Sequence, residues 1–381
     1  MKRFLAFMCC VALALSLVAC SDKENKKSDT AIIAHSVTDH KVFKYSDKSM
    51  MKIAFIYIGE ITDNGYNQAM DNARVTLVEK GYNCVYSENI PDNELCEKEM
   101  QRLIENEGVN VFVLTSYNYT TYAKKIASIN PEIAFLQYSE EDNTENLGTF
   151  CYKSYELKYL LGIVAGKKAE ETGNKNIGYV ASVQTPLCYR EVNAFALGVK
   201  SVCSDAKIYL EWINSWGDYQ LEKNSAENLI NNYSCGILTY STDTLAIPEI
   251  CQQKGVYVVA NAMKAKEIAP DYCIAIGKPD YDEYIVVEIE KFLADGWYSR
   301  NKTIGLDADG NFTYLDIPEN SAENTSIAVD MMRSKIQNSE IEVFAGPIKD
   351  INGLERVADG DNLSKSEIKS MNWLIEGVTE V

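Results

Sequence analysis

The chain has 381 residues, 46% hydrophobic and 24% charged, and its 37 Lys and Arg against 55 Asp and Glu give a formal charge of −18. Such an acidic balance, with no basic stripe, argues against nucleic acid as a partner, and the length exceeds what one core usually serves, so two lobes are expected. The two histidines, His35 and His40, both lie near the start, which removes His-dependent triads, proton shuttles and the commonest zinc ligand from the rest of the chain.

Residues 1–19 open with Lys2 and Arg3 and continue as an apolar stretch from Phe4 to Ala19. This is the pattern of a secretory signal peptide, too short to read as a spanning helix. The segment Leu17-Val18-Ala19-Cys20 resembles a bacterial lipobox, in which Cys20 receives lipid and becomes the mature N-terminus; the rival is an ordinary signal with a chance cysteine. Without Lys2 and Arg3 the balance is 35 basic against 55 acidic residues, or −20. Residues 20–49 are mostly Ser, Lys, Asp, Asn and Thr, too polar to bury a core, and read as a flexible tether of about 30 Å end to end.

The apolar run Ile53, Phe55, Ile56, Ile58 then predicts a buried strand. A loop with Gly59, Asp63, Asn64 and Gly65 follows, and the next segment spaces Ala69, Ala73 and Leu77 on one helical face until Gly81 stops it. Strand, loop and helix form the first unit of an α/β sheet, and ligands sit at the carboxyl ends of such strands. Asp63, Tyr66 and Asn67 fall in that loop, a combination suited to a small polar ligand with a flat ring. The plainer alternative is that Asp63 merely caps the helix.

The alternation repeats. Strands are predicted at 82–87, 109–115, 133–139 and 147–152, with helices between them, and a second set follows a helix over 157–169. Its strands are 176–182, 206–213, 235–240 and 256–260, again separated by helices. Two such sets imply two parallel sheets with right-handed crossovers and a cleft between the lobes. From 273 come CIAIGK, a helix over 280–297, a hairpin-like stretch TIGLDADGNFTYLDI and a last helix over 326–336. The D-x-D-G there is not a calcium loop, because Phe312 stands where Gly is needed and Pro318 at the twelfth position. No P-loop occurs. Eight cysteines remain after Cys9, Cys10 and Cys20; they are scattered, never C-x-x-C, and are expected to be thiols without a metal.

Five blocks carry a resemblance: KIAFIYIGEITDNGYNQAMDNAR, YLLGIVAGKKAEETGNKNIGYVAS, REVNAFALGVKSVCSDAKIYLEWINSW, TDTLAIPEICQQKGVYVV and EVFAGPIKDINGLERV with its continuation to about 378. They resemble the basic membrane protein family, the purine nucleoside receptor-like substrate-binding lipoproteins of ABC transporters. The resemblance implies an α/β chain of the type I periplasmic-binding-protein fold, two doubly wound lobes joined by three crossover segments around a ligand cleft. It implies crossings near 150–156, 271–276 and 315–325, hence lobe 1 as 50–153 with 275–318 and lobe 2 as 154–274 with 319–381.

It also implies a site. Asp63, Tyr66 and Asn67 match the loop that stacks and orients a base, and Lys278 matches a strand-end lysine on the sugar. Two family carboxylates are replaced here by Thr121 and Asn261, which loses charge-assisted bonds to ribose hydroxyls and makes a free base or another ring compound plausible. Ser116 and Tyr117 follow one predicted strand and Trp216 another, so these three are further candidates, each weighed against ordinary packing. Arg190 is expected in a structural ion pair. The expected protein is an exported lipoprotein, anchored at the extracytoplasmic face, that hands a purine nucleoside or base to an ABC permease without a cofactor and without catalysis. A surface sensor or interaction lipoprotein on the same fold is the alternative, and a carboxylate-based nucleoside hydrolase ranks last.

Overall fold

The structure is a computed structural model and describes residues 43–306 and 312–381. The expected signal peptide, Cys20, most of the tether and the Asp307 turn lie outside the described residues. The first half runs β1 (Lys52–Ile56), α1 (Tyr66–Glu79), β2 (Asn83–Ser87), α2 (Glu94–Glu107), β3 (Val111–Leu114), α3 (Thr120–Ile129), β4 (Ala134–Tyr138) and β5 (Leu147–Tyr152). Strand periodicity sorts its side chains. Ile53, Phe55, Val111, Val113 and Leu136 face one core, while Ala54, Ile56, Phe112, Leu114 and Phe135 face the other. Both faces of the sheet are therefore covered by helices, as a parallel sheet requires.

The second half runs α4 (Ser154–Thr172), β6 (Asn176–Ala181), α5 (Pro186–Val202), β7 (Lys207–Trp212), α6 (Tyr219–Tyr233), β8 (Ile237–Ser241), α7 (Ala246–Lys254), β9 (Tyr257–Ala260), α8 (Ala265–Ile268) and β10 (Cys273–Pro279). After it come α9 (Tyr281–Asp295), β11 (Asn301–Ile304), β12 (Thr313–Asp316), α10 (Thr325–Gln337), β13 (Ile348–Lys349), β14 (Glu355–Val357), α11 (Lys365–Lys369) and β15 (Val378–Glu380). The first sheet has the order β11-β5-β4-β3-β1-β2 and is parallel throughout. The second has the order β12-β10-β9-β8-β6-β7-β15, with β12 alone antiparallel.

The close approach of α4 and α5 sets the geometry of the second lobe's inner wall. A Cβ on Gly162 would lie 2.1 Å from the Phe195 carbonyl oxygen, and one on Gly198 would lie 2.0 Å from that of Tyr159. Neither helix could come so near with a side chain in between. Lys158, one turn ahead of Gly162, and Glu191, two turns ahead of Gly198, are both buried.

Three expectations change. The second crossing falls between β10 and α9, around residue 280 rather than 271–276, because Cys273 to Pro279 pair with β9 and β12. The third falls between β11 and β12, not at 315–325, since Ile304 packs in the first lobe's core while Thr313–Asp316 joins the second sheet. The stretch expected as a hairpin is thus split between the two sheets, β11 on β5 and β12 on β10. The tether also ends earlier than 49. Phe43 bridges to Trp297, Tyr45 packs its ring, tilted, 5.4 Å from that of Phe292, and Lys44 donates to the Ala294 carbonyl at 2.7 Å. Aromatic burial, invisible against the polar composition, pins residues 43–49 to the first lobe.

Candidate functional site

The carboxyl ends of both sheets face a cleft of about 230 Å³. The first lobe contributes the start of α1 through Asn64, Gly65 and Tyr66; the second contributes Thr242 and Asp243 after β8 and Asn261 to Lys264 after β9. Lys278, Pro279 and Tyr281 close it at the second crossing. Depressions of about 390 and 330 Å³ elsewhere are lined mainly by Lys, Arg and Glu on single outer surfaces, and gather no such mixture of rings and polar ends.

Tyr66, Asn261 and Lys278 meet here as the sequence suggested. Tyr66 is held edge-on between Tyr281 and Tyr138, with ring centroids 5.4 and 5.9 Å away, and its hydroxyl donates to the Thr115 carbonyl. Burial drives that phenol well above its usual range, with Tyr281 and Asp243 adding to it, so it remains a neutral donor. Asn261 donates from Nδ2 to the Thr242 carbonyl at 3.1 Å. Lys278 pairs with Asp280 at 2.9 Å.

Asp63 and Asn67 do something else. One Asp63 oxygen accepts from the backbone N–H groups of Gly65 and Gln68 at 2.9 and 3.0 Å, the other from the Asn67 backbone and Nδ2 at 2.9 and 2.8 Å. The carboxylate caps α1, the plainer reading of the loop, and neutralises the amino end of its dipole. Asn67, 8% exposed, also accepts from the Gly59 N–H at 3.3 Å. Neither lines the cleft; together they fix Tyr66, the next residue round. Ser116, Tyr117 and Trp216 also lie outside the cleft lining. Ser116 is buried and gives its carbonyl to Gln137 Nε2 at 2.6 Å. Tyr117 is 39% exposed, its phenol pushed up to about 12 by partial burial and then by Glu140 and Glu141. The Trp216 ring is 46% exposed, while its carbonyl accepts the Asp243 N–H at 2.8 Å.

The sequence missed Asp243. Its carboxyl sits on Gly65, where an added Cβ would meet the Asp243 Cβ at 2.5 Å. Desolvation first, then the negative charges of Asp63 and Glu222, push it up to about 7, against a lowering bond from the Tyr66 N–H. An acid just past a strand end was the available signal. Other links cross the cleft: Lys264 Nζ donates to Asn64 Oδ1 at 2.5 Å, and Arg190 grips both oxygens of Glu140. Arg190 is thus a structural ion pair, as expected.

The eight remaining cysteines stand as free thiols. Among the described residues Glu170, Cys203 and Asp205 approach metal-ligand spacing, but Lys175 already pairs with both carboxylates at 3.2 and 2.8 Å. No described helix is long and apolar enough to cross a membrane.

Residues 50–345 match the family described as ABC transporter substrate-binding protein, PnrA-like. The chain belongs to that family. Its members are solute-binding proteins of the extracytoplasmic side, not enzymes. A purine-binding protein of Brucella abortus is 27% identical over 334 residues, 87% of this chain and 93% of its own. A putative ABC transporter glucose-binding protein of Haloferax volcanii is 26% identical over 79% of this chain and 76% of its own. An ABC transporter solute-binding protein from Conexibacter woesei superposes with a TM-score of 0.65 at 18% identity, covering 77% of this chain and 98% of its own. The fold is accordingly the type I periplasmic-binding-protein fold expected from the sequence.

Proposed function

We propose that this receptor captures a purine nucleoside or nucleobase and presents it to an ABC permease, held at the membrane by a lipid on Cys20. The observation that carries the reading is the cleft between the lobes, where Tyr66 and Tyr281 meet Asn261 and Lys278. Rings supply a stacking surface for a flat base, and the amide and ammonium supply directed polar contacts. The purine-binding relative supports the same class. Closure of the two lobes about the crossings is the mechanism: ligand contacts to both walls exist only in the closed form, so binding shifts the population toward it. Asn261 retains hydrogen bonding toward a sugar hydroxyl without the strength of a carboxylate.

The test is thermal unfolding of the purified protein against nucleosides, free bases and sugars. A ligand at a hundred times its dissociation constant adds about 2.7 kcal/mol. Stabilisation by purines alone is the expected result. Stabilisation by glucose instead, a reading favoured by the Haloferax relative, would overturn it. Mass spectrometry of the mature N-terminus checks the lipid.

A further inference from the structure

The two lobes meet at an acid. Asp243 follows β8 on the second lobe and lines the cleft, and Gly65 faces it from the first. A Cβ on Gly65 would stand 2.5 Å from the Asp243 Cβ and 2.8 Å from its Oδ1. Gly65 is also the N-cap of α1 and brings no side chain of its own to that helix end. Asp63, two residues upstream, fills the role, and its oxygens already hold the N–H groups of Gly65, Asn67 and Gln68. The Ala69 N–H goes to the Gly65 carbonyl at 3.0 Å. Of the donors at the start of α1, the Tyr66 N–H is what remains for Asp243.

A second carboxyl group thus reaches a helix end whose dipole the first has neutralised and whose donors it has largely used. Asp63 faces it from the first lobe and Glu222, on α6, from its own, with the phenols of Tyr66 and Tyr281 beside it. The ammonium groups lining the cleft are engaged elsewhere, Lys264 on Asn64 and Lys278 on Asp280. The contact with Gly65 joins the two lobes, so it belongs to the closed form, and opening returns the carboxyl to water. We propose that closure takes up a proton at Asp243, so that the receptor grips its solute more tightly as its surroundings become acidic. The closed form holds this carboxyl at about 7 against an ordinary 3.8. The added affinity is therefore fully present below about pH 4 and is lost as pH rises through about 7. No histidine lies among the described residues, which removes the usual source of such a response. The inference rests on the receptor reading above, and within it on closure around a solute rather than on the solute being a purine.

The experiment is calorimetric titration of the full chain with adenosine, inosine, hypoxanthine and glucose, which stay neutral from pH 5 to pH 8. Binding should be at least about tenfold tighter at pH 5 than at pH 8, within what one titrating group can supply. Buffers of different ionisation enthalpy should report uptake of about one proton at pH 6 and about none at pH 8. Asp243→Asn, isosteric and always neutral, should bind within about twofold at every pH. Affinity that ignores pH in the unaltered protein, or no proton taken up at pH 6, overturns the inference and leaves the function standing, whether or not the variant folds. So does a pH dependence that survives Asp243→Asn, which would belong to another acid. Binding of glucose alone overturns the purine reading, and the proton count with glucose then decides this inference by itself. Absence of binding by all four overturns the function and this inference together.

Discussion

The two walls of the cleft are built on opposite terms. On the first lobe the side chains of Asp63, Asn67 and Tyr66 are spent internally: Asp63 takes four donors, Asn67 stitches Gly59 to the helix, and the Tyr66 hydroxyl is bonded to Thr115. On the second lobe Asp243 sits against Gly65 at the start of α1, where desolvation and then the charge of Asp63 push it up to about 7. One wall is a finished surface that offers shape. The other carries an acid whose charged form burial disfavours.

The comparison can be broken most forcefully at the helix contact behind the second wall. Gly162→Ala puts a methyl against the Phe195 backbone, and about 3 kcal/mol or more should be lost in urea unfolding, the upper scale of overpacking. Gly108→Ala, at a positive φ of 66° with nothing within 4 Å, should cost only about 1 kcal/mol by the same measurement. On the finished wall, Tyr66→Ala should weaken ligand binding by roughly 1–3 kcal/mol in calorimetry, the scale of base–aromatic stacking; unchanged affinity would remove the ring from the site. Asp63→Ala should cost about 1 kcal/mol of stability as a lost cap. Its effect on affinity should be smaller and should arise through displacement of Tyr66.

The smallest effect concerns pH. Asp243 is raised from 3.8 to about 7 in the folded protein, so the fold favours its protonated form. Its contribution is fully present below pH 4 and is lost as pH rises through about 7. Asp243→Asn should therefore flatten stability between these limits relative to the unaltered chain. An identical pH profile in both proteins would show that the carboxyl is better solvated than its position suggests.

The strand–helix alternation was legible because apolar runs bounded by glycine have few other uses. The second and third crossings were not, since Cys273 to Ile276 is as apolar as any strand of either sheet and nothing local says which it joins. Tyr66 could be read from the loop between the first strand and helix, whereas Asn261 and Lys278 were legible only through the family resemblance. Asp63 and Asn67 misled for a related reason: the residue types that orient ligands are those that cap helices. Lys158 and Glu191 sit inside helices, where a charge ordinarily marks a solvated face.

Phe43, Tyr45 and Lys44 clasp the first lobe, and β1 then begins at Lys52 from the end of the sheet remote from the cleft. Whatever holds the protein by its upstream chain therefore pulls on one lobe only, from behind. A tether there would make the first lobe the stationary jaw and the second the travelling one.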